Sequence, residues 1–291
     1  MTEATTEAAV FDPRPCQLGE GPLWHPGRGQ LFWFDITANR LLTRQGDSPR
    51  HWDFPGHVSA AGWTGQDTLL IASETGLHHV DLTTGRAEDV AALDADDPRT
   101  RSNDGRADPF GGFWIGTMGK AAEAGLGAIW RYHRGEVRRL FAPVTIPNAI
   151  AFAPDGTAAT FADTTTGQVM RTRLGRDGWP EGEAEVFLDL RAEGLNPDGA
   201  VFDAGGTFWL AEWGAARVSA YGPDGRRLGS VAFPAQHTSC PAFGGPDLST
   251  LFCTSARQGV SAADRAAWPL TGQTFAAPVT ARGQAEHRVI L

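Results

Sequence analysis

Short apolar segments alternate with glycine- and aspartate-rich turns along the whole chain, and one pairing of them recurs. The unit is a polar residue, two or three small or apolar residues, an aromatic or apolar anchor, a tight turn, and a second apolar segment. It reads GEGPLWHPGRGQLFWFD at 19–35, SAAGWTGQDTLLIAS at 59–73, NDGRADPFGGFWIGT at 103–117, NAIAFAPDGTAATFAD at 148–163, DGAVFDAGGTFWLAE at 198–212 and SCPAFGGPDLSTLFCTS at 239–255. With Trp24, Trp63, Asp108, Phe152, Phe202 and Phe243 as equivalent anchors, successive copies lie 39, 45, 44, 50 and 41 residues apart. That spacing matches a four-stranded propeller blade.

Further alternating segments follow most copies, such as GLHHVDLTTGR at 76–86 and GAIWRYHRGE at 127–136. They supply a third strand, a turn and room for a fourth. No amphipathic run long enough for a helix of about 12 residues intervenes, which argues against a parallel α/β fold. The pattern predicts an all-β fold, a six-bladed β-propeller forming a single domain over residues 1–291, with residues 1–8 as a disordered tail. Closing such a ring requires the chain ends to share a blade. Ala9–Phe11 and His287–Leu291 both read as short strands, and one of them is expected to complete the last blade.

Composition narrows the function classes. A hydrophobic fraction of 41% with ten tryptophans supplies a large core and excludes disorder. Net charge is −9 and the basic residues are scattered singly, so the electrostatic footprint of nucleic-acid binding is missing. No apolar stretch approaches the roughly 18 residues of a membrane span. The opening MTEATTEAAV has neither a basic start nor an apolar core, so a cytoplasmic location is expected. Cys16, Cys240 and Cys253 show no CxxC spacing and read as reduced thiols. Lys120 stands alone against 24 arginines, leaving little scope for amine-based covalent catalysis.

The phase of the repeat points to a site. The inner strand of each blade lines the central channel, so equivalent residues form a ring at its mouth. Counting four back from each anchor gives Glu20, Ser59, Asp104, Asn148, Asp198 and Ser239, with Asn103 one further back in the third copy. All are polar, and carboxylates this close together are costly unless a cation or a proton compensates. One divalent ion held by Glu20, Asn148 and Asp198 would do so. Oxygen donors suit Ca²⁺, Mg²⁺ or Mn²⁺, and less well Zn²⁺ or Fe²⁺. Spacing alone leaves this reading level with strand capping or bound channel water.

Five segments, LGEGPLW at 18–24, RSNDGRADPFGGFWIGTM at 101–118, IPNAIAFAPDG at 146–156, NPDGAVFD at 196–203 and CPAFGGPDLSTLFCTSAR at 240–257, resemble the SMP-30/gluconolactonase/LRE-like family. The resemblance runs from about Cys16 to the C-terminus. It implies a six-bladed propeller with one divalent metal on Glu20, Asn148 and Asp198, and substrate contacts from Arg101 and Asn103. Some relatives carry a substrate-binding glutamate where this chain has Ala121, and Glu123 is the nearest carboxylate to take that part. The implied reaction is hydrolysis of a small-molecule sugar-acid lactone, with Asp198 as general base.

Other motifs are absent or bland. There is no GxSxG elbow, HExxH helix or GxxxxGK loop. His78 and His79 are adjacent and point to opposite faces of a strand, which argues against joint ligation. His25, His51, His57 and His237 have positions near the mouth open to them, but read as loop residues or as support behind the site. Trp114, Trp209 and Trp213 read as blade packing, with Trp213 the one placed to wall a pocket. Two rival functions stay open: hydrolysis of another ester class on the same scaffold, and a calcium-binding or protein-interaction propeller without turnover.

Overall fold

The computed structural model describes residues 8–291. Among them, 24 strands pair into six four-stranded antiparallel sheets, which are the blades of a six-bladed β-propeller. The innermost strands are Gly19–His25, Val58–Gly65, Thr100–Ala107, Pro147–Phe152, Asn196–Phe202 and Thr238–Gly244. Every repeat found in the sequence therefore contains one inner strand and the hairpin that follows it. The one α-helix among the described residues is Ala262–Ala267, capped by the Ser261 hydroxyl, which accepts from the Asp264 amide. No helix of the described residues is long and apolar enough to cross a membrane.

Burial falls from the axis outward. All residues of Gln30–Asp35 and Pro147–Phe152 are buried, whereas Ser48–Asp53 at the outer edge of the first blade is largely exposed. The apolar core divides into six clusters, each at a junction between neighbouring blades. Leu23, Phe32 and Phe34 of the first blade meet Val58, Leu69 and Ile71 of the second. Trp33 and Leu42 of the first meet Ala242 and Phe252 of the sixth. Full burial of one such side chain contributes about 1.5–3 kcal/mol, so the ring is held by interfaces that only its closure completes.

The N-terminal segment makes that closure. Ala9–Asp12 pairs with Thr274–Pro278 as the outermost strand of the sixth blade. The tail expected over residues 1–8 lies outside the described residues except for Ala8, which packs partly buried on the core between the fifth and sixth blades.

His287–Leu291, the other candidate for closure, forms no strand. The segment from Gly283 runs across one end of the channel. Gly283 donates to the Leu248 carbonyl, Gln284 Nε2 to the carbonyls of Phe152 and Phe202, Val289 to Trp63, and Ile290 to Gly111. It thereby touches the sixth, fifth, fourth, second and third blades, and Val289 is buried against Ala107 and Phe113. Its backbone makes isolated bonds to the sixth, second and third blades and the Gln284 side chain reaches the fourth and fifth, so no single partner strand is needed.

Each inner strand slips register at the same phase, and that of the second blade slips again between Trp63 and Gly65. The irregularities fall between Glu20 and Leu23, Val58 and Ala60, Ser102 and Gly105, Asn148 and Ala151, Pro197 and Ala200, and Thr238 and Pro241. Bulges bend a strand and re-aim its side chains. Here they coincide with the polar ring read from the sequence, and all six ring residues are buried.

Candidate active site

Opposite the C-terminal segment the channel opens into a cavity of about 430 Å³, within the size range of small-molecule sites. Glu20, Arg101, Asn103, Asn148 and Asp198 all line it. Five residues from the first, third, fourth and fifth blades are thus brought to one place by the bulges of their strands.

A hydrogen-bond relay links them. Arg101 Nη1 donates to Asn103 Oδ1 at 2.8 Å, and Asn103 Nδ2 donates to Asn148 Oδ1 at 3.0 Å. Asn148 Nδ2 donates to Thr164 Oγ1 at 2.8 Å, and that hydroxyl donates to the Pro197 carbonyl at 2.8 Å, beside Asp198. The relay fixes the Asn148 amide with Oδ1 on the Asn103 side. It spans three blades, so the orientation of each group depends on its neighbours.

The carboxylates are poorly compensated. Glu20 Oε2 accepts from the Gly21 amide at 3.2 Å. Burial, then the charge of Asp104, pushes the Glu20 carboxyl up to about 8. Burial, then Glu20 and Asp104, holds Asp198 well above the usual carboxylate range, against one backbone bond from Gly199. Burial raises Asp104 to about 6. The buried Arg101 guanidinium is lowered to about 10 by desolvation, an effect opposed by the charge of Glu20. A site with this electrostatics attracts a cation.

Among the described residues, no three His, Cys, Asp or Glu side chains form a cluster able to hold an ion by themselves. Two carboxylates and the Asn148 amide oxygen are the available set. Two buried carboxylates with one backbone donor each, facing a neutral amide oxygen, fit a hard divalent ion.

One expected site residue is displaced. Glu123 does not line the cavity; its Oε2 accepts from the Ala121 amide at 3.1 Å, so the carboxylate is used within its own turn. Lys120, Ala121 and Ala122 form that part of the wall instead.

Two further cavity residues had no motif to announce them. His57 donates through Nδ1 to Asn39 Oδ1 at 2.6 Å, and burial lowers its pKa, keeping the ring neutral. Lys120 Nζ lies 3.2 Å from Glu74 Oε2, which also accepts from the His57 amide. The only lysine in the sequence, immediately after GTMG, was a signal that residue type alone left unread. Trp213 does wall the cavity, stacked on His237 at 4.3 Å. His78 and His79 bond to different partners, Asp89 with Ser73 and Thr64 respectively.

The model of the SMP-30/gluconolactonase/LRE-like region matches residues 18–257. The chain belongs to that family. This family member is 35% identical to the 6-deoxy-6-sulfogluconolactonase of Pseudomonas putida over 94% of its own length and 95% of the relative's. It is 32% identical to the L-arabinolactonase of Azospirillum brasilense, over 93% and 91% respectively. The crystal structure of regucalcin from Agrobacterium tumefaciens strain C58, described as a calcium-binding protein, superposes with a TM-score of 0.96 at 40% identity, covering 98% of both chains.

Proposed function

We propose that the protein hydrolyses the lactone of a sugar acid to the open acid, using one divalent cation held by Glu20, Asn148 and Asp198. The observation that carries this reading is the convergence of those three oxygen donors with Arg101 and Asn103 on one cavity. The names of the similar proteins, two of them lactonases, support the substrate class. When bound, the cation would supply Lewis-acid polarisation of the lactone carbonyl and a more acidic water.

The chain's own residues do the rest. Asp198 accepts the proton of the attacking water as general base, a contribution of about 10²- to 10⁴-fold. The water oxygen bonds to the carbonyl carbon, the ring C–O bond breaks, and the proton passes to the departing ring oxygen. Arg101 is already fixed through Nη1 on Asn103, so its remaining N–H groups meet substrate oxygens at little entropic cost. His57, Lys120 and Trp213 shape the rest of the cavity.

The test is a panel of pentonic and hexonic lactones, run on chelator-treated protein reloaded separately with Ca²⁺, Mg²⁺, Mn²⁺, Zn²⁺ or Fe²⁺. Activity lost on stripping and regained with one ion is the expected result. Full activity after stripping overturns the metal's part, and no turnover of any lactone with any ion overturns the reaction. The last outcome, with calcium bound, would favour a calcium-binding role, the reading that the description of the Agrobacterium structure supports.

A further inference from the structure

Asn148 is followed by a residue in a costly conformation. Ala149 has φ +56°, in the left-handed region that non-glycine residues seldom occupy. At the corresponding place in the first blade, Glu20 is followed by Gly21 with φ +52°, where no Cβ opposes the turn. The fourth blade makes the same bulge with an alanine, and such strain persists only where surrounding contacts impose it.

Within its own blade the Thr160 hydroxyl donates to the Ala149 carbonyl at 2.9 Å, and a second contact comes from the blade next to it. Ile150, the residue after Ala149, donates its backbone N–H to Asp104 Oδ2 at 2.8 Å. Asp104 is 5% exposed, does not line the cavity, and lies two residues before Arg106, which partly compensates its charge. A carboxylate acceptor makes a stronger bond to an amide than a neutral oxygen does. The second and sixth blades have Ser59 and Ser239 at this ring position, and neither reaches a backbone amide: their hydroxyls donate to Ser102 Oγ and the Gly19 carbonyl.

We infer that Asp104 is a positioning residue: by anchoring the Ile150 amide it holds Ala149 left-handed and keeps the Asn148 amide turned into the cavity. The consequence for cation binding rests on Asn148 being a ligand, as proposed above. The anchoring of the bulge does not.

Two readouts on the full chain separate these parts. Hydrogen exchange over residues 148–151 is measured in chelator-treated protein, and calcium affinity by calorimetry. The variants are Asp104→Ala, Asp104→Asn, Ala149→Gly and the double variant Asp104→Ala/Ala149→Gly. Asp104→Ala is expected to speed exchange of the Ile150 amide by about tenfold or more. It is also expected to weaken calcium binding by about 10- to 100-fold. Asp104→Asn keeps an acceptor oxygen in place, so protection at Ile150 is retained. In the double variant glycine removes the strain, and calcium affinity recovers by about tenfold relative to Asp104→Ala.

Unchanged exchange in Asp104→Ala overturns the inference. So does a double variant that binds no better than Asp104→Ala, which would mean that Asp104 acts through its charge alone. Should Asp104→Ala not fold, Asp104→Ser, the residue found at this place in two other blades, takes its place in both comparisons. A parent protein that binds no divalent ion removes the ligand role of Asn148, while the exchange data still decide the anchoring.

Discussion

Arg106 and Glu286 form an ion pair inside the propeller channel, joining the inner strand of the third blade to a segment 180 residues later. Both side chains are at least nine-tenths buried, and Arg106 Nη2 also reaches the Ala200 carbonyl of the fifth blade at 3.3 Å. Removing one partner of such a pair leaves the other charged and desolvated. Glu286→Gln is expected to lower unfolding free energy by about 3–5 kcal/mol in urea titrations. The double replacement Arg106→Met/Glu286→Leu should cost less than either single change. A loss under about 1 kcal/mol for Glu286→Gln would show that the pair is not desolvated in solution.

Stability of the metal-free protein should depend on pH with a definite sign. Glu20 titrates near 8 and Asp198 is also raised, both chiefly through burial, whereas unfolded carboxyls titrate near about 4. The native state therefore keeps protons that the unfolded chain releases, and its stability falls as pH rises through the native pKa values. His25, His57, His237 and His287 are lowered by burial and act in the opposite direction, but only near and below about pH 6.5. Between about pH 7 and 9 the melting temperature in chelator should decline. Added calcium should flatten or reverse that decline. A melting temperature that rises with pH in chelator would contradict the assigned burial.

Asp198→Asn preserves the shape of the side chain and removes its basicity. Its kcat on the best lactone should fall by about 10²- to 10⁴-fold, with folding unchanged by circular dichroism. A fall of less than tenfold would move the base to another group.

Glu123→Ala should leave KM and kcat within about twofold, because the carboxylate is bonded to the Ala121 amide and stands off the cavity. An increase in KM of tenfold or more would mean that the turn opens and that Glu123 reaches the substrate.

The blade count and the polar ring were legible because both depend on periodicity, which local sequence carries. The bulges were not, since a slip between Ser102 and Gly105 is a property of how two strands pair. For that reason phase counting could not tell that Asn103 lines the cavity while its neighbour Asp104 anchors the next blade. His57 and Lys120 come from different blades and meet only through Glu74, a long-range coincidence with no motif. The apolar end VIL reads as strand by propensity, yet its backbone partners are spread over several blades. Glu123, two residues past Ala121, reads as a replacement substrate contact, but its carboxylate is bonded within its own turn.

The pairing of Ala9–Asp12 with Thr274–Pro278 also orders events in time. A nascent chain can stack its first five blades as they are made, but it remains an open arc until residue 278 has left the ribosome. Until then the arc exposes the apolar flank of the first blade, around Trp33 and Leu42, that the sixth blade will cover. A fragment that stops before that strand keeps this flank uncovered, so closure of the ring waits on Thr274–Pro278.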